Sequence, residues 1–140
     1  MSVTSSINAR LITPSITAPV YNNTTAAINA TATATAAQLL TGMITSTSAA
    51  PVTITLPTGT LLGAALGASK GTVFEFYVDN TAGANTVTIA VATNGILSAA
   101  AAAGAGTGAG LLTVPSGVTG LASFKLVFSS PTAYAFTRNL

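Results

Sequence analysis

The stretch GTVFEFYVDN, Gly71–Asn80, decides the predicted fold. Its side chains alternate, so that Phe74, Phe76 and Val78 share one face and both carboxylates of the protein fall on the other. Alternation with a period of two predicts a β-strand with two different faces. Because the phenylalanine face carries a large apolar area, we expect it to be buried. The stretch therefore predicts a sheet with a packed inner side.

The same alternation marks further strands around this stretch. The segments that carry it most clearly are PVTITLP (51–57), TVTIAVATNG (86–95), LASFKLVFSS (121–130) and AYAFTRNL (133–140). The polar loop NTAGAN (80–85) lies between the aromatic strand and TVTIA, which predicts that these two strands form a hairpin. One segment, TGTLLGAALGAS (58–69), instead spaces its leucines as a helix does. Thr58 or Thr60 would cap this helix and Gly67 would end it.

These elements predict an all-β fold. About eight strands with frequent turn signals are typical of a sandwich or jelly roll. No fixed repeat runs along the chain, which argues against a β-solenoid. The predicted architecture is a jelly-roll-like antiparallel β-sandwich over residues 23–140, with one short helix and an extended N-terminal arm over residues 1–22.

The arm is predicted from its prolines and its scattered apolar residues. Pro14 and Pro19 each fix φ and remove a backbone donor, which disfavours a helix or a central strand. The segment could lie on the flank of its own domain, on a neighbouring subunit or on a larger partner. Its candidate contact residues are Arg10, Leu11, Ile12, Ile16 and Val20.

A second candidate contact lies in NATATATAAQLLTG, Asn29–Gly42. Threonine and alanine alternate here, and alanine fills a core poorly but allows another backbone to approach closely. This favours a strand near a subunit boundary. The candidate subunit-contact residues are Thr31, Ala32, Thr33, Ala34 and Thr35.

The composition limits the possible partners. Charged residues make up 4% of the chain and the net charge is +2, whereas charged residues make up about a quarter of a typical soluble domain. Four scattered cations form no patch for nucleic acid. No apolar run is long enough to span a membrane, and the first residues do not read as a signal peptide. So few charges favour a surface that is covered in a homo-oligomer or larger assembly.

The sequence offers little for catalysis, so we do not expect an enzyme. It contains no histidine and no cysteine, which argues against zinc, other metal sites and a general base. Glu75 and Asp79 lie four residues apart on one strand, about 13 Å from each other, too far for a glycosidase pair. We expect Glu75 to pair with Lys125 on a neighbouring strand. No cofactor motif is present; GAGTGAG lacks the lysine of a phosphate-binding loop.

One region resembles a known family. The segments TAAQLLTGMITSTSAAPVTITLPTG and GTVFEFYVDNTAGANTVTIA follow the order of a leucine-rich turn ending in Gly, a strand, a TLPT step, a small helix and an aromatic strand ending in VDN. This order, from about residue 36 to 94, resembles the head decoration or cement proteins, and related small virion proteins, of tailed bacteriophages. The family is structural and has no catalytic residues to transfer.

The resemblance implies a function and a location. It implies a capsid decoration subunit made in the host cytoplasm, often a trimer, that binds the major capsid protein on the outer surface of the virion and stabilises contacts between capsomers. Two alternatives stay open: a phage tail, fibre or receptor-binding domain, and an ice-binding or adhesive module. The latter would need a flat threonine array, and Thr31, Thr33 and Thr35 supply one strand of it without a repeat to continue it.

Overall fold

The computed structural model describes residues 22–97 and 112–139 of the chain. Within these ranges, the strands are β1 (Ala26–Ala27), β2 (Ala32–Thr33), β3 (Met43–Thr45), β4 (Val52–Thr55), β5 (Val73–Asp79), β6 (Val87–Ala90), β7 (Gly95–Leu97), β8 (Thr113–Val114), β9 (Leu121–Ser130) and β10 (Ala133–Arg138). The helices are α1 (Ala36–Leu39) and α2 (Gly59–Leu66), and a 3₁₀ turn covers Gly117–Thr119.

The strands form two sheets that enclose the core. The six-stranded sheet has the order β1-β3-β5-β9-β10-β7, and the four-stranded sheet has the order β2-β4-β6-β8. Neighbours are parallel along β1-β3-β5, along β2-β4-β6 and between β10 and β7, whereas β9 is antiparallel to β5 and β10, and β8 to β6. The prediction of an all-β, antiparallel jelly roll is therefore wrong. The fold is a mixed α/β arrangement, sandwich-like, in which parallel and antiparallel pairs coexist.

The parallel pairs arise because the chain alternates between the sheets. β1, β3 and β5 enter the six-stranded sheet, and each is followed by a strand of the four-stranded sheet, so that successive passes stack as three coils. The predicted hairpin across NTAGAN is wrong for this reason, because β5 and β6 belong to different sheets. The strands therefore stack as in a solenoid, although the sequence has no fixed repeat. The repeat is absent because the helices and loops between the strands differ in length.

The two helices begin at threonine caps. Thr58 Oγ1 accepts the Leu61 N–H at 3.2 Å, and α2 ends at Gly67, which has a φ of +60°. The predictions of Thr58 as N-cap and Gly67 as terminator are confirmed; this φ favours glycine. At α1, Thr35 and Gln38 form a reciprocal capping box. α1 begins directly after the threonine–alanine stretch, in which only Ala32–Thr33 (β2) forms a strand.

The core lies between the inner faces of the sheets. Phe76, Phe124 and Phe136 come from β5, β9 and β10, and their rings stack with centroids 5.4 Å apart between neighbours. The four-stranded sheet contributes Ile54 and Ile89, which are fully buried. The prediction that the phenylalanine face is inside is confirmed for Phe76 and Val78, while Phe74 is half-buried.

Candidate interaction surface

The outer side of the six-stranded sheet exposes large apolar side chains. Alternation that buries Phe76 and Phe124 turns the intervening residues of β5 and β9 towards solvent. Four of these are apolar or aromatic and keep much of their surface accessible: Val73 (55%), Tyr77 (40%), Leu121 (58%) and Val127 (39%). We call these four residues the apolar face. Single exposed apolar residues are ordinary, but several on adjacent strands favour an interaction site.

The pairing register brings members of the apolar face together. β5 and β9 are antiparallel, and Val73 lies directly opposite Val127. Between these valines and Tyr77, Glu75 lies opposite Lys125, with Lys125 Nζ 3.9 Å from Glu75 Oε1. The predicted pairing of these two charges is confirmed. Both side chains are partly exposed, so the ion pair contributes little to stability. Its main consequence is that opposite charges lie side by side within the face.

A shallow cavity of about 350 Å³ adjoins the apolar face. It is lined by Asn23, Val73, Phe74, Glu75 and Tyr77. Asn23 precedes β1, so the first described residues of the chain lie close to the outer side of β5. A concave site that combines valine and aromatic side chains with one amide and one carboxylate can receive a side chain of a partner protein.

Asp79 ends the outward row of β5. Its Oδ1 accepts the Thr81 hydroxyl at 2.6 Å and the Thr81 N–H at 2.9 Å. The side-chain bond, followed by the backbone bond, holds the pKa of Asp79 below its ordinary value. Both bonds are local, and they fix the start of the loop that crosses from one sheet to the other.

The structure describes the second group of candidate contact residues but not the first. Arg10, Leu11, Ile12, Ile16 and Val20 lie outside the described residues, as does the rest of the predicted 1–22 arm except Asn22. In the second group, Thr31, Ala32, Thr33 and Thr35 are exposed, and Thr35 is the cap of α1. Ala34 differs, because it is only 2% exposed and faces the core.

β2 contains Ala32 and Thr33 and forms an edge of its sheet, and β1 forms the corresponding edge of the other sheet. β1 and β2 together form the first of the three stacked coils. The structure therefore places the candidate subunit-contact residues at an end of the stack. Among the described residues, no strand pairs with the outer edge of β2, and such an edge can accept a strand of another chain. The role of these residues in assembly stays a prediction.

Sequence reasoning missed the apolar face. Alternation places Val73 and Tyr77 on the same side of the strand as Glu75 and Asp79, opposite the phenylalanine face, but we predicted no interaction from their size. The signal was present, because Leu121 and Val127 also fall outward on an alternating strand. An outward row of large apolar residues on two paired strands is the pattern that would have found it.

Residues 22–97 and 112–139 contain no group of three or more acidic, histidine or cysteine side chains that could hold a metal ion. In the same ranges, none of the helices has the length and apolarity required to cross a membrane. Comparison with known proteins adds no assignment: no family model, curated protein or solved structure matches the chain.

Proposed function

We propose that this protein is a structural virion protein, a decoration subunit that binds the outside of a tailed-bacteriophage head and stabilises contacts between capsomers. The observation that carries the proposal is the apolar face on the six-stranded sheet. The resemblance of about residues 36–94 to head decoration proteins supplies the class of partner. The chain would act as a homo-oligomer, expected to be a trimer, on the major capsid protein.

The chemistry of the apolar face suits a protein partner. Interface cores are enriched in aromatic and apolar residues and depleted in charge relative to other surfaces. Tyr77 supplies an aromatic ring with a polar tip, and Val73 and Val127 supply adjacent apolar surface. The neighbouring Glu75–Lys125 pair would bring no net charge into the interface.

The low charge of the whole chain fits the same role. A decoration subunit is held at several symmetric contacts, so that each can be weak while the assembly stays bound. An extended segment such as residues 1–22 could add a strand to the open sheet edge of a neighbour. The protein would be made in the host cytoplasm and would reside on the outer surface of the capsid.

Co-sedimentation with purified phage heads that lack the protein tests the proposal. We expect the full-length chain to pellet with the heads, and failure to pellet would contradict the proposal. Val127→Glu places a charge in the apolar face and should abolish binding. The matched control is Thr55→Glu, which places the same charge on the outer side of the four-stranded sheet and should leave binding unchanged.

Deletion of residues 1–20 tests the arm separately. We expect binding to the heads to weaken strongly, because each subunit would lose one of its attachments. Unchanged binding of the deletion variant would remove the arm from the proposal but leave the apolar face in place.

A further inference from the structure

The outer side of the four-stranded sheet carries threonines in two rows across its strands. In the first row, Thr53 of β4 is paired with Thr88 of β6, which is paired with Thr113 of β8. In the second row, Thr33 of β2 is paired with Thr55 of β4. We call these five residues the threonine face. They share one side because paired residues, and residues two apart on a strand, point the same way.

The threonine face is uncharged and is backed by a rigid core. The described residues of β2, β4, β6 and β8 include no charged side chain. The opposite side of the same strands is apolar and buried, through Val52, Ile54, Val87, Ile89 and Val114. The hydroxyl positions are therefore fixed by a packed sheet rather than by long mobile side chains.

Four hydroxyls of this face, those of Thr33, Thr53, Thr55 and Thr88, are available to water. Thr33 is exposed, and Thr53, Thr55 and Thr88 are half-buried by their neighbours. Among the described residues, no hydrogen bond engages the side-chain oxygens of these four threonines. Each hydroxyl can donate one hydrogen bond and accept others, so these oxygens must bond to solvent or to a ligand. At the edge of the first row, the Thr31 hydroxyl accepts the Thr53 N–H at 3.0 Å and ties the first coil to the second.

The spacing of the rows matches hydrogen-bonded water. Neighbouring strands lie about 4.7–4.9 Å apart, so threonines paired across strands repeat at that distance. Two oxygens bonded tetrahedrally to one water, each by an O–H···O bond of about 2.75 Å, lie about 4.5 Å apart. One water can therefore bridge the hydroxyls of Thr33 and Thr55, and another those of Thr53 and Thr88. Along a strand the rows repeat at about 6.8 Å, which gives the bound water order in a second direction.

We propose that the threonine face binds ice, through a layer of water ordered by these hydroxyls and by the threonine methyl groups between them. The inference is independent of the proposed virion function and uses the opposite side of the molecule. It answers the objection drawn from the sequence, that one threonine strand makes no array. Pairing in the sheet places the four available threonine hydroxyls on three adjacent strands, β2, β4 and β6, although the threonines come from unequally spaced parts of the chain.

Slow freezing of a protein solution onto a cold probe tests this proposal. A protein that binds ice enters the frozen fraction, whereas other solutes are excluded into the liquid. We expect the wild-type chain to enter the ice. Exclusion of the wild type from the ice would overturn the proposal.

Variants locate the binding surface. Thr55→Glu should lose ice adsorption, because it places a charge next to Thr33 and Thr53 on the threonine face. Thr33→Glu should do the same from an exposed edge position, where folding is not at risk. Val127→Glu, on the other sheet, should keep full adsorption. Retained adsorption in both threonine variants, or equal loss in Val127→Glu, would overturn the assignment to this face. Urea unfolding of each variant confirms that it is folded before it is tested.

Discussion

Glu75 and Lys125 lie directly opposite each other on β5 and β9, at 3.9 Å between Oε1 and Nζ. Asn139 Nδ2 also donates to Glu75 Oε1, at 2.7 Å. This carboxylate therefore has two partners at the surface of the six-stranded sheet. The arrangement places a compensated charge among exposed apolar side chains, which allows a partner to cover the apolar face without burying a lone ion.

Leucine substitutions at Ala32 and Ala34, two residues apart, should affect assembly and folding differently. Ala34→Leu adds volume at a buried position and should lower the free energy of unfolding by about 1–3 kcal/mol. Ala32→Leu changes an exposed residue of edge strand β2, so folding should be unaffected while the oligomer weakens. Urea unfolding and the mass of the protein in solution measure the two effects. If the Ala32→Leu oligomer has the same stability as the wild type, β2 does not lie at a subunit boundary.

Gly63 should be intolerant of any side chain. A Cβ added there would lie 1.9 Å from the Pro131 carbonyl oxygen, in the turn between β9 and β10. Because that atom belongs to the backbone, Gly63→Ala should force α2 away from the sheet and cost about 1–3 kcal/mol. Thermal unfolding measures the loss. The control is Ala64→Ser on the exposed side of the same helix, and equal melting temperatures for the two variants would contradict the close packing of α2.

The buried hydroxyl of Tyr134 should contribute more to the free energy of unfolding than the exposed hydroxyl of Tyr77. Its Oη donates to the Pro57 carbonyl oxygen at 2.8 Å and joins β10 to the end of the β4 segment. Burial raises the pKa of this phenol, so it stays a neutral donor. Tyr134→Phe leaves the carbonyl without its partner and should cost about 1–3 kcal/mol. Tyr77→Phe, at an exposed position, should change the unfolding free energy by less than about 0.5 kcal/mol. Equal effects in denaturant titrations would count against the bond.

Asp79 should make stability depend on pH in the acid range. The Thr81 bonds lower the pKa of Asp79 in the folded state below its ordinary 3.8. The stabilisation is therefore fully present above pH 3.8 and is lost as the pH falls through the lower, folded-state pKa. Asp79→Asn removes the titrating group, so its stability deficit relative to the wild type should shrink on acidification. Urea midpoints across this range check it, and a deficit that stays constant with pH would show that the carboxylate is not the source.

Local features of the fold could be predicted from the sequence. The caps of α2 follow from Thr58 and Gly67, because a hydroxyl acceptor and a left-handed φ are requirements of single residues. The buried and exposed sides of β5 follow from alternation, and the Glu75–Lys125 pair follows from two strands whose outward sides each carry one charge. Each of these predictions depended on a few residues in one or two segments.

The pairing of strands could not be predicted in the same way. Alternation fixes which side of a strand is buried, but it is the same for parallel and antiparallel neighbours. The loop that starts at Asn80 reads as a hairpin, yet Asn80 Nδ2 donates to Val114 O at 3.0 Å and helps carry the chain to the other sheet. The stacked positions Ala26, Ile44 and Val78 are unevenly spaced in sequence, so no repeat revealed the coils.

The candidate surfaces depended on this pairing. The threonine face unites residues from β2, β4, β6 and β8, and only the sheet order makes them neighbours. The apolar face needed the register of β5 with β9, which sets Val73 against Val127. Composition alone predicted that part of the surface is covered in an assembly, without identifying which part.

Imaging of phage heads decorated with the full-length protein tests the proposed function most directly. The account predicts density on the outer surface of the head at symmetric positions, with the outer side of the six-stranded sheet, and Tyr77 within it, against the shell. Density at the tail or fibres, or contact with the shell through the four-stranded sheet, would contradict it.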